Sequence, residues 1–341
     1  MSEVIHLDAW RRLYAAADLV KKLAPWTWMD ETDVFGVQFP ATSEIGYVSV
    51  MGGLGVHFAV SVYLGDSAVY RFLDIEKSPD TEESVMHVLE LPQLMVSFED
   101  REELEKEDRE IIKQLGLKYR GRNNWPLFRS HRPGFYPWLL EAPEVERLAV
   151  ALEQFAGVAM RFEDNPDLLE RDDAFLVRVY REEGEQSEWI DSYRKLRPPD
   201  SVRLNIRVPR SDIRQFQNAE SEIPVAEVAF NVMPMRVGKC GERPTVVYML
   251  LVVEPESYFV LGMEAFSPSE GLDKMREELP AKLIAIFNKS EIRPREIRIC
   301  SPQLDQLLGP VMRDLGVELT FSPELDAVPE VLESLCSYMG I

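Results

Sequence analysis

The sequence predicts two successive domains of mixed helix and sheet: an α+β domain built on an antiparallel meander over residues 1–199, and an α/β domain, a mixed sheet flanked by helices, over residues 200–341. Three observations carry that reading. The chain has 341 residues, 45% of them apolar, which exceeds one comfortable core and suffices for two domains that fold without staples. Pro198-Pro199 interrupts both helix and strand and marks the boundary. After residue 200 the pattern is arranged around Thr245–Phe266, TVVYMLLVVEPESYFVLGMEAF, an apolar run that restarts after Glu254-Pro255-Glu256-Ser257. It reads as two strands on a tight turn, and a run apolar on both faces suits a central strand covered on both sides.

In the first half, Leu7, Trp10, Leu13, Tyr14, Ala17, Val20 and Lys21 recur at helical spacing, so Leu7–Leu23 is an amphipathic helix stopped by Pro25. Trp26-Thr27-Trp28-Met29 follows, then three strand-like runs, Val34–Phe39, Ile45–Met51 and Phe58–Tyr63, on turns short enough for a meander. The glycines of the second turn, Gly52-Gly53-Leu54-Gly55, are not read as a phosphate loop. Such a loop opens a helix whose terminal amides hold the phosphate. Here Val56–Leu64 alternates like a strand, so the glycines permit a hairpin and His57 is a turn residue. Further on come a helix over Asp66–Glu76, a strand over Leu91–Phe98, a charged helix over Arg101–Leu115, a helix over Ala142–Arg161, a strand over Phe175–Tyr180 and a short helix over Ser187–Leu196. The mixed-sign face of Arg101–Leu115 reads as a solvated face and not as a metal site.

Lys118–Trp138, KYRGRNNWPLFRSHRPGFYPW, is chemically the most unusual stretch of this half. It carries Lys118, Arg120, Arg122, Arg129 and Arg132 with no acid, and interleaves His131 with Tyr119, Trp125, Phe128, Phe135, Tyr136 and Trp138. Guanidinium forks fit phosphate oxygens and aromatic faces accept bases, so Arg120, Arg122, Arg129, His131 and Arg132, with Trp26 and Trp28, are the ligand-binding candidates. The plainer reading, which we prefer, pairs these arginines with the acidic helix before them and sends the aromatics into the core. Pro126, Pro133 and Pro137 predict an irregular loop.

In the second half, a bridging strand at Val202–Val208 and a short helix at Ser211–Ala219 lead into strands at Ala226–Val237, Thr245–Val253 and Tyr258–Phe266 and a helix at Pro268–Asn288. A strand at Glu296–Cys300, a helix at Gln303–Leu315, a strand at Val317–Phe321 and a helix at Pro329–Tyr338 complete the chain. That order, with the textures YMLLVVEPESYFVLG and REIRICSPQLDQLLGPVMRDLGVELTF, resembles the ribonuclease H-like fold in its integrase and transposase branch, over roughly residues 225–340. The resemblance implies an aspartate on the first strand, a second at the end of the fourth and an acid on a late helix, holding two divalent metals for phosphoryl transfer. This chain offers Asn231 on the first strand and Cys300-Ser301 after the fourth, and retains acids only on the last helix, Glu330 and Glu333. Two hard cations need several carboxylate oxygens, so a degenerate domain without a metal is expected. Glu330 and Glu333 are the remaining metal candidates, and Glu227 and Asp305 are the positions from which a shifted site would be built. The whole chain also resembles a bacterial family of two-domain proteins of unknown function, through Trp26-Thr27-Trp28, Phe35-Gly36-Val37, Tyr47–Gly52, Phe128-Arg129-Ser130, Phe259–Gly262 and Arg293–Ile297.

The formal charge of −21, from 59 acidic and 38 basic residues, opposes general attraction to nucleic acid or anionic membrane while leaving a local basic patch possible. Cys240, Cys300 and Cys336 are too few and too scattered for a disulfide framework or a zinc site. There is no signal peptide and no run long enough to span a bilayer, which predicts a soluble, cytoplasmic protein. Nucleophile elbow, His-Glu-x-x-His, Walker and Cys-x-x-Cys sequences are missing. The expected function is a non-catalytic binding or scaffolding module without cofactor, with a protein or small-molecule partner and possible homo-oligomer formation. The alternatives are a metal-dependent nuclease or phosphoryl-transfer enzyme with a shifted site, or a nucleotide or nucleic-acid binder through Arg120–Trp138.

Overall fold

The computed structural model describes residues 7–40, 42–77, 88, 90–183, 186–200, 203–239 and 241–339. The chain divides into two compact units, the first made of Met1–Pro79, Glu90–Arg132 and Pro137–Asp200, the second of Asp80–Leu89, Pro133–Tyr136 and Ser201–Ile341. Each combines helices with a sheet.

In the first unit the elements are α1 (Leu7–Leu23), β1 (Phe35–Gln38), β2 (Ile45–Met51), β3 (Ala59–Leu64), α2 (Asp66–Ile75), β4 (Gln93–Glu99), α3 (Lys106–Gln114), β5 (Trp125–His131), α4 (Ala142–Asp164), β6 (Glu170–Arg171), β7 (Ala174–Glu183) and β8 (Gln186–Arg194). Their sheet runs β5-β4-β3-β2-β1-β7-β6, with β8 also on β7. β1 through β5 are an antiparallel series, and only β1 with β7 is parallel. Alternation explains the two faces. Phe35, Val37, Val48 and Val50 join Leu13, Tyr14, Leu148, Leu152 and Phe155 of α1 and α4 in one core, while Ile45, Tyr47 and Tyr63 join Val69 and Phe72 of α2 in another. α4 starts where it does because Glu141 and Glu144 form a capping box ahead of a proline in the first turn.

The second unit comprises α5 (Arg210–Gln217), β9 (Ser221–Val237), β10 (Thr245–Glu254), β11 (Phe259–Phe266), α6 (Leu272–Ser290), β12 (Ile292–Ile299), α7 (Pro302–Asp314), β13 (Glu318–Phe321) and α8 (Val328–Met339). Strand order is β11-β10-β9-β12-β13, with β9 antiparallel to β10 and parallel to β12. The unbroken apolar run of β10 now has a cause. Tyr248, Leu250 and Val252 face the core beneath α5, α6 and α7, while Leu251 and Val253 face the core beneath α8. Gly262 of β11 has no room for a side chain, since a Cβ there would meet Ile286 Cγ2 of α6 at 2.6 Å.

Four element readings are corrected. Ser187–Leu196 is not a helix: Gln186–Arg194 is a strand, because it hairpins onto β7 in continuous register from Phe175↔Arg194 to Glu183↔Gln186. Residues 203–209 form no strand, and 201–202 lie outside the described residues. Arg101–Leu115 is broken into a 3-10 turn, Arg101–Glu103, and α3, because Leu104 is drawn into the core and Glu105 caps the new helix start. Lys118–Trp138 is not wholly irregular, since Trp125–His131 pairs with β4 along its length. Of the cysteines, Cys240 lies outside the described residues, and Cys300 and Cys336 are half-buried thiols.

Candidate functional site

The basic and aromatic stretch divides into two parts with different fates. Along β5, Pro126, Phe128 and Ser130 point inward. Phe128 packs edge-on to Tyr14, and Tyr119 bridges Tyr14 and Trp125, so these aromatics seat α1 on the sheet. Arg129 donates both guanidinium arms to Asp108, at 2.9 and 2.8 Å. Asp108 also accepts from the Glu105 amide at 2.9 Å as part of the α3 capping box, so this mostly buried pair fastens β5 to the helix start. Arg132 reaches Glu141 at 2.7 Å and Glu144 at 2.9 Å, and Ser130 Oγ donates to the same Glu144 oxygen at 2.8 Å. The Glu141 hydrogen bond, followed by that of Glu144, raises the Arg132 pKa despite its burial. His131 is half-buried, opposite Gln93 in the β4 register. Arg129 and Arg132 are thus engaged in holding the fold.

The other part gathers at one end of this sheet. Here lie the last turn of α1, the 3-10 turn Pro25–Thr27, the β2–β3 loop, the end of β4 and the turn before β5. Trp26 is buried against Phe58 and Phe98. Lys21 lays its ammonium over all three rings, 5.2 Å from Trp26, 4.8 Å from Phe58 and 5.0 Å from Phe98. Burial lowers its pKa, and the rings return part of that cost by cation–π attraction. Trp28 is half-buried at the edge of the same core, and its indole N–H meets no acceptor among the described residues. Gly52 is required twice over, by its φ of +141° and because a Cβ there would meet Phe58 at 2.8 Å and Trp26 at 3.0 Å. The loop then turns outward, closed by Gly55 N–H to the Gly52 carbonyl at 2.9 Å, and carries Leu54 at 95% exposure and Val56 at 82%. Beside it His57 approaches Glu99 at 3.6 Å, and Arg101 lies 6.0 Å from the Trp125 ring. Arg122 approaches Asp100 at 3.4 Å while its side chain stays 90% exposed, and Arg120 is exposed as well. Of the sequence candidates, then, Trp26, Trp28, Arg120 and Arg122 share this end, whereas Arg129, His131 and Arg132 lie farther along β5. Sequence reasoning placed Lys21 on the α1 stripe and Val56 in a strand-like run, gave neither a role in binding, and passed over Leu54. The signal lay in Leu54 and Val56 themselves, two large apolar residues on either side of Gly55 at the tip of a turn.

In the second unit the carboxylates are dispersed. Asn231 sits mid-β9 opposite Met249. Ser301 caps α7, its Oγ accepting from Leu304 N–H at 3.1 Å. Asp305 is exposed on α7, and Glu330 and Glu333 are exposed on α8. Glu227 is fully buried on β9, and its carboxylate accepts the backbone N–H of Asp326, Ala327 and Val328 at 2.8, 2.8 and 3.1 Å. It is the N-terminal cap of α8. A cavity of about 200 Å³ nearby is lined by Pro224, Glu254, Glu256, Arg298 and Asp326. Arg298 pairs with Glu296 at 3.0 Å there. Among the described residues no three His, Cys, Asp or Glu side chains gather in a metal-binding arrangement. No helix among them is long and apolar enough to cross a membrane.

No curated protein and no solved structure matches the chain. Family models match in two places, and both are described as domains of unknown function. The first (DUF7309) matches residues 10–178 and the second (DUF6930) matches residues 212–336.

Proposed function

We propose that the chain is a non-catalytic binding or scaffolding module whose first unit presents its partner surface at the sheet end formed by Lys21, Trp26, the Gly52–Phe58 loop and the Arg120–Trp125 turn. The observation that carries this reading is the near-complete exposure of Leu54 and Val56 at the sheet end where the Arg122 guanidinium also faces solvent. A packed scaffold that holds out a short apolar loop is a usual way to position a binding surface. The other arginines of the basic stretch weigh less, because Asp108, Glu141 and Glu144 already neutralise them. In this proposal the second unit is a rigid platform of ribonuclease H-like type. Its support is the order β11-β10-β9-β12-β13, three antiparallel strands continued by two parallel ones with helices between.

The test is a comparison of partners recovered from cells with the full chain and with a Leu54→Ser/Val56→Ser/Arg122→Glu variant. These positions are exposed, so the variant keeps the urea midpoint of the parent. Partners specific to the parent are expected. An identical set from both, or phosphoester turnover by the purified chain that Glu330→Gln or Glu333→Gln abolishes, overturns the proposal.

A further inference from the structure

The sheet edges of this chain are not equally protected. β5 is bridged on its outer side by Trp138, which exchanges hydrogen bonds of 2.8 and 3.0 Å with Ser130. β6 has two residues, both charged, and β8 carries Glu188, Asp191 and Arg194. β13 is only four residues long and begins with Glu318. These are the ordinary devices against strand addition. β11, by contrast, is eight residues long, FVLGMEAF, and among the described residues pairs with β10 alone. Phe259 is 63% exposed and Met263 52%, and Tyr258 beside them is exposed too. Its one charge, Glu264, is held by Lys282 of α6 at 2.5 Å. In a chain of net charge −21, this is an edge whose exposed side chains are mostly apolar, with a row of main-chain groups to offer.

We infer that β11 is a self-association edge, pairing antiparallel with β11 of a second copy about a two-fold axis through Met263. Like charge selects the register. An axis through Glu264 would set two carboxylates directly opposite, which is destabilising. An axis through Gly262 would place at its centre the irregularity between Gly262 and Val260 that marks the β10 pairing. With the axis at Met263, each Glu264 falls opposite Gly262, which has no side chain, and the two exposed methionines meet, a contact their flexible thioethers make readily. The interface is isologous and joins two five-stranded sheets into one.

The experiment measures the mass of the full chain by light scattering at about 100 µM, where a Kd of roughly 10 µM leaves mostly dimer. A dimer is expected, and Met263→Lys, which sets two ammonium groups face to face, weakens it at least ~10-fold. The second arm replaces Cys240, Cys300 and Cys336 by serine and adds Met263→Cys. Directly opposed residues lie about 4.5–5.5 Å apart between Cα atoms, within disulfide reach, so mild oxidation gives a covalent dimer. Phe259→Cys, whose copies lie roughly 27 Å apart in this register, does not cross-link. A monomer at that concentration, a dimer indifferent to Met263→Lys, or equal cross-linking at 259 and 263 overturns the inference.

Discussion

Replacing Glu227 by alanine is expected to unfold the C-terminal helix of the second unit first. The carboxylate is fully buried and accepts three backbone amides at the start of α8. Hydrogen bonds to a charged group contribute about 1.5–3 kcal/mol each, and an orphaned buried donor costs about 1–3 kcal/mol. Three amides sharing two oxygens do not add independently, and the alanine chain escapes the cost of burying a carboxylate. The net loss is then about 4 kcal/mol, a large part of the roughly 5–15 kcal/mol that holds an ordinary domain. Glu227→Gln keeps one acceptor and turns an NH₂ toward an N–H, so about 2–3 kcal/mol is expected there. The assay has an internal control, because all six tryptophans precede residue 190. Tryptophan emission in urea therefore follows the first unit, while amide exchange at 326–328 and in β9 follows the second. An alanine variant that loses less than ~1 kcal/mol with protected amides at 326–328 refutes the capping argument.

Two further perturbations test the first unit. Arg129→Met leaves Asp108 without its bidentate partner in a mostly buried place, and breaking one side of such a pair costs about 3 kcal/mol or more. Tryptophan-monitored urea unfolding should show that loss and a partial recovery in Arg129→Met/Asp108→Asn, while Arg120→Ala stays within ~0.5 kcal/mol. Asp191 provides a pH signature: burial pushes its pKa up, but hydrogen bonds from Arg161 and Arg178 outweigh that, so the net shift is downward. A lowered folded-state pKa contributes stability above the unfolded value of about 4 and loses it as pH falls through the folded value. Asp191→Asn should therefore destabilise at pH 7, and the gap to the parent should close in stronger acid; a gap independent of pH contradicts the assignment.

Much of the fold was legible because its strongest signals are local. The α1 and α4 stripes, the first meander and the β10 run each match one period over many residues, and tertiary packing reinforces them. The failures share a cause. In Ser187–Leu196 and Trp125–His131 the pattern is too short to separate helix, strand and loop, and it is pairing with β7 and β4 that decides. The split of Arg101–Leu115 depends on Leu104 finding a core that lies far away in sequence. For the candidate site, Trp26 and Arg122 were visible as residue types. Their meeting at one sheet end was not, because it follows from strand register. Nor could composition distinguish Arg129 from Arg122. One is spent on Asp108 and the other faces water, and only the partner's position in space separates them.

The same reasoning explains how the buried carboxylate of the central strand is used. Each Glu227 oxygen is already committed, Oε1 to Asp326 and Oε2 to Ala327 and Val328. A carboxylate has about four lone-pair positions, so little is left for a metal. Across the parallel pair, Arg298 of β12 stands in register with Glu227 and reaches toward Asp326 at 3.9 Å. A fixed guanidinium there supplies the positive charge that a divalent ion would otherwise bring, and it repels such an ion. Freeing the site would take two changes at once, since removing Arg298 alone leaves Glu227 bound to the helix, and removing Glu227 alone uncaps α8. Stability and cation binding thus compete for one carboxylate, and in this chain the helix holds it.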